Sequence, residues 1–214
     1  MTRVDPLLLG LAEAWVRPGD CVWDVGANLG LFSVAAANMA GRDGAVVAFE
    51  ADTWLVGLLR RTASMQPPTA APIEVVPSAV ADATGLRHFN VTRRSRALNH
   101  LVGVGSGVAQ RTKNTAQTVV SMTLDSLLPS LRAPNVLKVD VEGAEMLVLK
   151  GATTVLREHR PIIICETGDK AADEVSQLLH AQDYVLFDSS QPSATRKPVD
   201  RAPWDMLALP RERV

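Results

Sequence analysis

The sequence predicts an α/β fold built on a doubly wound, mostly parallel sheet of seven strands. Short, solid apolar runs alternate with helix-like segments along most of the chain, and this alternation is typical of a parallel sheet covered by helices on both faces. The last two apolar runs have no helix between them. We therefore expect these two strands to form an antiparallel pair at one edge of the sheet.

The first half of the chain repeats a strand–helix unit. Pro18-Gly19 and Pro67-Pro68 each follow a stretch with apolar residues at helical spacing, and such residues end helices. The turn sequence "ADATG" closes the third strand. In order, the expected elements are a helix over 7–16, a strand over 21–25, a helix over 29–39, a strand over 45–49, a helix over 53–64 and a strand over 73–80.

The second half resumes the same alternation after residue 120. Thr123 is suited to cap a short helix, because its hydroxyl can accept a hydrogen bond from the first turn. Pro161 stands at the first position of a strand, where the missing N–H does least harm. In order, we expect helices over 123–128, 144–159 and 173–181, and strands over 136–141, 161–165, 184–187 and 206–209.

An insertion over about 86–120 interrupts this alternation. The stretches "LRHFNVT" and "AQTVVSM" alternate like antiparallel strands, and an irregular, glycine-rich sequence separates them. Gly103, Gly105 and Gly107 lower the cost of rearrangement there, so we expect residues 87–116 to form a mobile lid. No linker or repeat divides the chain, and we expect one domain over residues 1–214.

Composition excludes several classes of partner. A net charge of −1 argues against a nucleic-acid partner, which requires many clustered Lys and Arg residues. No apolar run reaches the roughly 18–20 residues of a membrane span. Cys21 and Cys165 are isolated and fall in or beside predicted strands, which favours a reducing, cytoplasmic compartment. The sequence leaves the oligomeric state open, with a homodimer as one option.

The turn "DVGANLG" after the first strand is the clearest sign of a ligand. In doubly wound sheets, ligands bind outside the carboxyl ends of the strands. Gly26 and Gly30 allow the backbone to approach a ligand closely, and Asn28 tolerates a left-handed conformation. Asp24 can receive a ligand's ammonium group. The alternative is that the two glycines only shape a tight turn.

Glu50 ends the second strand, where an acid can accept both hydroxyls of a ribose. The turn lacks the G-x-G-x-x-G spacing of dinucleotide sites, and Asp24 would repel a pyrophosphate. A carboxylate suits an amino-acid moiety with a cationic amine instead. These observations favour S-adenosylmethionine over NAD as the cofactor.

Three stretches resemble the FkbM family of S-adenosylmethionine-dependent methyltransferases: "VWDVGANLGLFSVAAA", "VVAFEAD" and, most specifically, "LKVDVEGAEMLVLKGA". The resemblance implies a Rossmann-like methyltransferase fold and methyl transfer to a hydroxyl of a sugar, polyketide or other natural product. It implies that four residues of the first turn line the methionine portion, that Glu50 binds the ribose and that two residues border the adenine. These are Asp24, Gly26, Asn28 and Gly30 for methionine, and Ser78 and Ala79 for adenine.

Acidic residues end the fourth and fifth strands, beside the expected methyl position. We expect Asp140 to be required for transfer and Glu166 to assist it, either as proton acceptors or around a shared Mg²⁺, with Glu142 as a further catalytic candidate. Alternatively, Lys138 neutralises Asp140, whereas Glu142 and Glu145 favour the following helix N-terminus.

His100, in the glycine-rich stretch, is either a further candidate base or an ordinary loop histidine. Two other functions stay open: a protein that binds S-adenosylmethionine without transferring its methyl group, and an NAD-dependent oxidoreductase.

Overall fold

The computed structural model describes residues 6–92, 100–101 and 114–214. Its α-helices alternate with strands as expected, and single turns of other helix types occur over Asp125–Leu127, Val155–His159 and Arg211–Arg213. The α-helices are α1 (Pro6–Trp15), α2 (Leu31–Ala40), α3 (Thr53–Ser64), α4 (Glu145–Lys150) and α5 (Ala172–Ala181).

The strands form a large sheet and a small one. They are β1 (Cys21–Val25), β2 (Ala45–Phe49), β3 (Ile73–Val76), β4 (Ala79–Val80), β5 (Gly85–Thr92), β6 (His100–Leu101), β7 (Asn114–Met122), β8 (Val136–Val139), β9 (Ile162–Glu166), β10 (Tyr184–Asp188), β11 (Pro198–Val199) and β12 (Asp205–Pro210). The large sheet has the order β11-β10-β12-β9-β8-β1-β2-β3, and the small sheet has the order β4-β7-β5-β6.

The large sheet confirms the doubly wound α/β fold. The described strands β3, β2, β1, β8 and β9 run parallel, with β1 at the centre, so that their carboxyl ends meet at one edge. β10 and β12 pair antiparallel towards one edge of the sheet, as expected, with β12 between β9 and β10. The sheet has eight strands instead of seven, because the short β11 adds to β10.

Two expected elements are divided. The strand over 73–80 breaks at Pro77, which has no N–H to donate: β3 pairs with β2, whereas β4 pairs with β7 in the small sheet. The helix over 144–159 breaks after α4, where Gly151 packs so closely on Ala81 that a Cβ would lie 2.2 Å from its carbonyl oxygen. Strands β5 to β7 occupy the expected insertion, and the lid glycines 103, 105 and 107 lie outside the described residues.

Apolar side chains fill both faces of the large sheet. Trp23 is fully buried, packs edge-on against Phe49 with ring centroids 5.8 Å apart, and donates from Nε1 to the carbonyl oxygen of Arg132. Cys21 and Cys165 are free and buried. In the described part of the chain, no helix is long and apolar enough to cross a membrane.

Candidate active site

A cavity of about 340 Å³ opens at the carboxyl ends of β1, β2, β8 and β9. This is the edge of a doubly wound sheet at which ligands bind. Its ionisable lining residues lie at or just after the carboxyl ends of β2, β8 and β9. The residues that line it are Leu8, Val25, Gly26, Asn28, Leu31, Phe49, Glu50, Ala51, Ser78, Ala79, Val80, Phe89, Leu101, Asp140, Val141, Glu142, Ala144 and Glu166.

The turn after β1 has the left-handed backbone that its sequence predicts. The φ angles of Gly26, Asn28 and Gly30 are 79°, 53° and 85°. A Cβ on Gly26 would lie only 1.8 Å from the backbone oxygen of Asp140. Gly26 is therefore required for the packing of the turn against the end of β8, and it also lines the cavity.

Gly30 and Asp24 do not line the cavity, in contrast to the expected contact with a ligand. Gly30 precedes α2 and faces Leu59, whose Cδ1 would lie 2.5 Å from an added Cβ. The Asp24 side chain is fully buried within the sheet, where it accepts a 2.5 Å hydrogen bond from Ser33 Oγ. Strand alternation turns the Asp24 side chain into the core, and its contact with a ligand's ammonium group stays a prediction.

Glu50 lines the cavity just after β2, and the backbone fixes both of its carboxylate oxygens. Its Oε2 accepts a 2.9 Å hydrogen bond from Asn28 N, and its Oε1 accepts a 2.8 Å hydrogen bond from Asp52 N. Burial raises the pKa of Glu50, while these backbone hydrogen bonds oppose that shift. Each carboxylate oxygen retains capacity to accept a further hydrogen bond from a ligand.

Ser78 and Ala79 follow β3 and line the same cavity. The Ser78 side chain is 3% exposed, and its Oγ is buried without a hydrogen-bond partner. A buried hydroxyl without a partner is costly and uncommon. Because Ser78 lies in the cavity wall, its hydroxyl is placed to form a hydrogen bond with a polar ligand.

Lys138 lies beneath the cavity and joins three parts of the site. Its Nζ lies 3.4 Å from Asp24 Oδ1, 3.2 Å from Asp140 Oδ2 and 3.4 Å from the carbonyl oxygen of Gly26. Burial alone would lower the pKa of Lys138, but the two carboxylates raise it above its ordinary value. The ion pair between Lys138 and Asp140 is the contact that the alternative interpretation expects, and it is also compatible with a catalytic role for Asp140.

Asp140, Glu142 and Glu166 all line the cavity, so the structure brings together the acids expected at the ends of the fourth and fifth strands. Glu142 has a φ of 52°, an uncommon left-handed conformation for a residue with a side chain. Burial, and then the charges of Asp140, Glu166 and Glu145, raise the pKa of Glu142 to about 7. Glu145 accepts a 2.7 Å hydrogen bond from Gly143 N at the start of α4, as the alternative interpretation expects.

His100 differs from its expected position in a glycine-rich loop. It is a strand residue of β6, 2% exposed, with its Nε2 3.3 Å from Asn90 Nδ2. Its neighbour Leu101 lines the cavity, but His100 does not. The role of His100 as a candidate base stays a prediction.

The described residues contain no group of three or more His, Cys, Asp or Glu side chains that could hold a metal ion. One carboxylate oxygen of Asp140 is also already paired with Lys138. Within the described residues, the donor set therefore does not fit the Mg²⁺ alternative.

Apolar residues complete the cavity, and the sequence did not indicate them. Leu8 of α1 and Leu31 of α2 line it, and Phe89 and Leu101 line it from the small sheet. Leu31 is 49% exposed. Of these residues, only Leu31 could have been identified from the sequence, because it lies next to the glycine turn.

Comparisons with known proteins agree with this geometry. Residues 24–186 match the methyltransferase FkbM domain. A curated relative, the hexuronic acid methyltransferase AglP of Haloferax volcanii, is 28% identical over 75% of this chain and 60% of its own length. The chain thus spans less than two thirds of that relative.

Solved structures share the fold. Methyltransferase FkbM from Methylobacillus flagellatus matches with a TM-score of 0.55 and 17% identity, over 94% of this chain and 49% of the other. Aeropyrum pernix fibrillarin, in complex with S-adenosyl-L-methionine, matches with a TM-score of 0.52 and 13% identity, over 95% and 70% of the two chains. The family match covers most of the chain, and the chain therefore belongs to the FkbM family of methyltransferase domains.

Proposed function

We propose that this protein is an S-adenosylmethionine-dependent O-methyltransferase that acts on a hydroxyl of a small molecule, with sugars as the leading class. The observation that carries this proposal is the division of one cavity into two ends. Glu50 and Ser78 follow β2 and β3 on one side of β1, and Asp140, Glu142 and Glu166 lie at the ends of β8 and β9 on its other side. Family membership favours methyl transfer over the hydride transfer of an NAD-dependent enzyme.

The first end fits the adenosine portion of the cofactor. Glu50 is held by two backbone N–H groups, so that its carboxylate is oriented before a ligand binds. We propose that it accepts hydrogen bonds from the ribose hydroxyls, and that Ser78 Oγ gains a partner from the adenine. Gly26 and Asn28 would border the methionine portion. When bound, S-adenosylmethionine supplies an activated methyl group on a sulfonium.

The second end supplies proton acceptors for the hydroxyl. Methyl transfer is an in-line displacement that requires alignment and removal of the hydroxyl proton. We propose that Asp140, Glu142 and Glu166 carry out this role together. Lys138 balances the charge of Asp140, and Glu142, with a pKa of about 7, is matched to accept a proton at neutral pH.

Two further observations support the proposed acceptor class and a cellular location. The name of the curated relative specifies a hexuronic acid, which supports a sugar-like acceptor for this chain. The two free, buried cysteines are consistent with a reducing compartment, and we propose a cytoplasmic location.

Calorimetric titration with S-adenosylhomocysteine tests the cofactor assignment. Glu50→Ala removes two charge-assisted ribose hydrogen bonds, so we expect it to weaken binding by roughly 2–4 kcal/mol. Glu74→Ala is the matched control, because Glu74 is an exposed carboxylate on β3 outside the cavity. Equal affinity of wild type and Glu50→Ala contradicts the ribose assignment.

Mass spectrometry of hydroxylated acceptors then tests the reaction through the gain of one methyl group. Binding of S-adenosylhomocysteine without any transfer would indicate a protein that only binds the cofactor. Binding of NAD in its place would indicate an oxidoreductase.

A further inference from the structure

The segment between β8 and α4 has an uncommon backbone. Glu142 and Gly143 have φ angles of 52° and 98°, so two consecutive residues adopt a left-handed conformation. Glycine accepts this conformation readily, but a residue with a side chain does so at a cost in free energy. Such strain persists only where the surrounding structure imposes it, and it concentrates at functional sites. The strained residue here is Glu142, which lines the cavity.

One side chain holds this turn in place. Glu145 is the first residue of α4, and its Oε1 accepts a 2.7 Å hydrogen bond from Gly143 N. That N–H belongs to the planar peptide group that joins Glu142 to Gly143. The orientation of this peptide depends on the ψ angle of Glu142 and the φ angle of Gly143, so the hydrogen bond restrains both.

The burial of Glu145 has a cost that its place at the start of a helix does not explain. The residue is 2% exposed, and its Oε2 is buried without a hydrogen-bond partner. Burial raises the pKa of Glu145, and the hydrogen bond from Gly143 N opposes that shift. An apolar side chain of similar length would avoid the cost of the unpaired oxygen. The acid provides instead an acceptor for Gly143 N.

Glu145 acts on the cavity only through this turn. Its neighbour Ala144 lines the cavity, but Glu145 does not, so it is not placed to touch a substrate. Without an acceptor for Gly143 N, we expect Glu142 to relax from the left-handed conformation. Its Cβ would then point in another direction, and its carboxylate would leave the cavity.

We infer that Glu145 is a positioning residue that, through the Gly143 peptide, holds the carboxylate of Glu142 in the cavity. This inference rests on the proposed methyltransferase function and deepens it, because it names the group that orients one of the proposed proton acceptors. The hydroxyl proton of the acceptor passes to a cavity carboxylate, and Glu145 takes no part in that transfer.

Two variants of Glu145 separate the hydrogen bond from charge and packing. Glu145→Gln and Glu145→Met both remove the charge and keep a side chain of similar length, but only Gln retains an oxygen that can accept from Gly143 N. Carbon NMR of the glutamate carboxyl groups measures the titration of Glu142, whose signal is identified by its absence in Glu142→Gln. The other charges that act on Glu142, those of Asp140 and Glu166, are the same in both variants.

We expect the proton affinity of Glu142 to be at least about tenfold lower in Glu145→Met than in Glu145→Gln, because a displaced Glu142 loses the burial that raises its pKa. Turnover of an identified acceptor should fall in the same order, by at least about tenfold. Glu174→Gln and Glu174→Met are the control pair at an exposed carboxylate, and the titration of Glu142 should not differ between them. Equal proton affinities of Glu142 in the two Glu145 variants overturn the inference.

Wild type provides a second test that does not depend on the folding of a variant. Hydrogen exchange at the Gly143 amide should be at least about tenfold slower than at an unprotected amide. Exchange at the unprotected rate also overturns the inference.

Calorimetry of wild type with S-adenosylhomocysteine is performed first. Absence of binding would contradict the proposed function. The NMR comparison reports the position of Glu142 whether or not the protein transfers methyl groups, so the two failures are distinguishable.

Discussion

Lys138 Nζ lies 3.2 Å from Asp140 Oδ2, and this contact joins the core of the sheet to the wall of the cavity. The same ammonium lies 3.4 Å from Asp24 Oδ1, and the Asp24 side chain is fully buried. The Lys138 side chain therefore both neutralises the buried carboxylate of Asp24 and orients the carboxylate of Asp140 in the cavity. A buried charge without a partner is expensive, so loss of this lysine should affect the whole fold.

We expect Lys138→Met to lower the free energy of unfolding by about 3–5 kcal/mol, because it leaves the charge of Asp24 buried without an ion pair. Urea denaturation measures the effect. Lys150→Met is the matched control: its ammonium lies 4.0 Å from Glu174, and both side chains are at least half exposed. That variant should resemble wild type.

A double-mutant cycle with Asp24→Asn separates the ion pair from simple packing. Lys138→Met/Asp24→Asn should be less destabilised than the sum of the single variants, since the buried charge is then removed with its partner. Strict additivity would show that the pair contributes nothing.

Gly26 should tolerate no side chain. Gly26→Ala would place a Cβ 1.8 Å from the Asp140 backbone oxygen at a φ of 79°, so we expect a loss of more than about 3 kcal/mol in stability. Gly57→Ala is the control, and we expect it to change stability in the opposite direction. Gly57 lies within α3 with no atom close to an added Cβ, and Ala should stabilise the helix by about 0.5–1 kcal/mol. Thermal unfolding of both variants checks this contrast, and a mild Gly26→Ala would contradict it.

The sequence predicted most of the features that are determined by residues close to one another in the chain. Strand and helix order, the left-handed turn at Asn28 and the acids at the strand ends all follow from local patterns, because parallel strands bring their carboxyl ends to one edge. The position of Glu50 opposite Asn28 N follows from the same logic.

The features that the sequence did not predict depend on long-range pairing. Asp24 and Lys138 are register partners on neighbouring strands, 114 positions apart in the chain, so their side chains share one buried face. His100 is buried because β6 pairs with β5, and nothing in the glycine-rich sequence indicates that pairing. Such contacts require the strand order and register, which single-strand patterns do not contain.

Ser78 should reveal a ligand site through opposite effects on the free and bound protein. Ser78→Ala removes a buried hydroxyl that has no partner, so the free protein should gain about 1 kcal/mol in stability. Affinity for S-adenosylhomocysteine should fall about 3–10-fold, because the bound hydroxyl loses its hydrogen bond. Unfolding and calorimetry measure the two effects.

Ser121→Ala provides the comparison for Ser78. The Ser121 hydroxyl is buried but donates a 2.8 Å hydrogen bond to the carbonyl oxygen of Ala83. This variant should lose stability and keep its affinity for S-adenosylhomocysteine. A stabilised Ser78→Ala with unchanged affinity would remove Ser78 from the cofactor site.

Glu142 should make the stability of the protein depend on pH in a defined window. Its pKa rises from 4.5 to about 7 in the folded protein, because burial and the charges of Asp140, Glu166 and Glu145 disfavour its ionised form. Between these two values the folded protein retains a proton that the unfolded chain has released, so this residue's contribution to stability decreases as pH rises. Above about 7 both states are ionised, and the contribution no longer changes.

Glu142→Gln keeps the shape of the protonated side chain and cannot ionise. Its melting temperature should match wild type near pH 4.5 and exceed it by about 4–8 °C at pH 8.5, which corresponds to roughly 2 kcal/mol once solvent screening of this half-buried group reduces the effect of the pKa shift. Glu174→Gln, an exposed carboxylate, should show no such divergence. Scanning calorimetry from pH 4.5 to 8.5 on all three proteins measures the difference. A constant offset between Glu142→Gln and wild type would mean that Glu142 does not titrate in this window, and its role as the proton acceptor at neutral pH would then have to pass to Glu166.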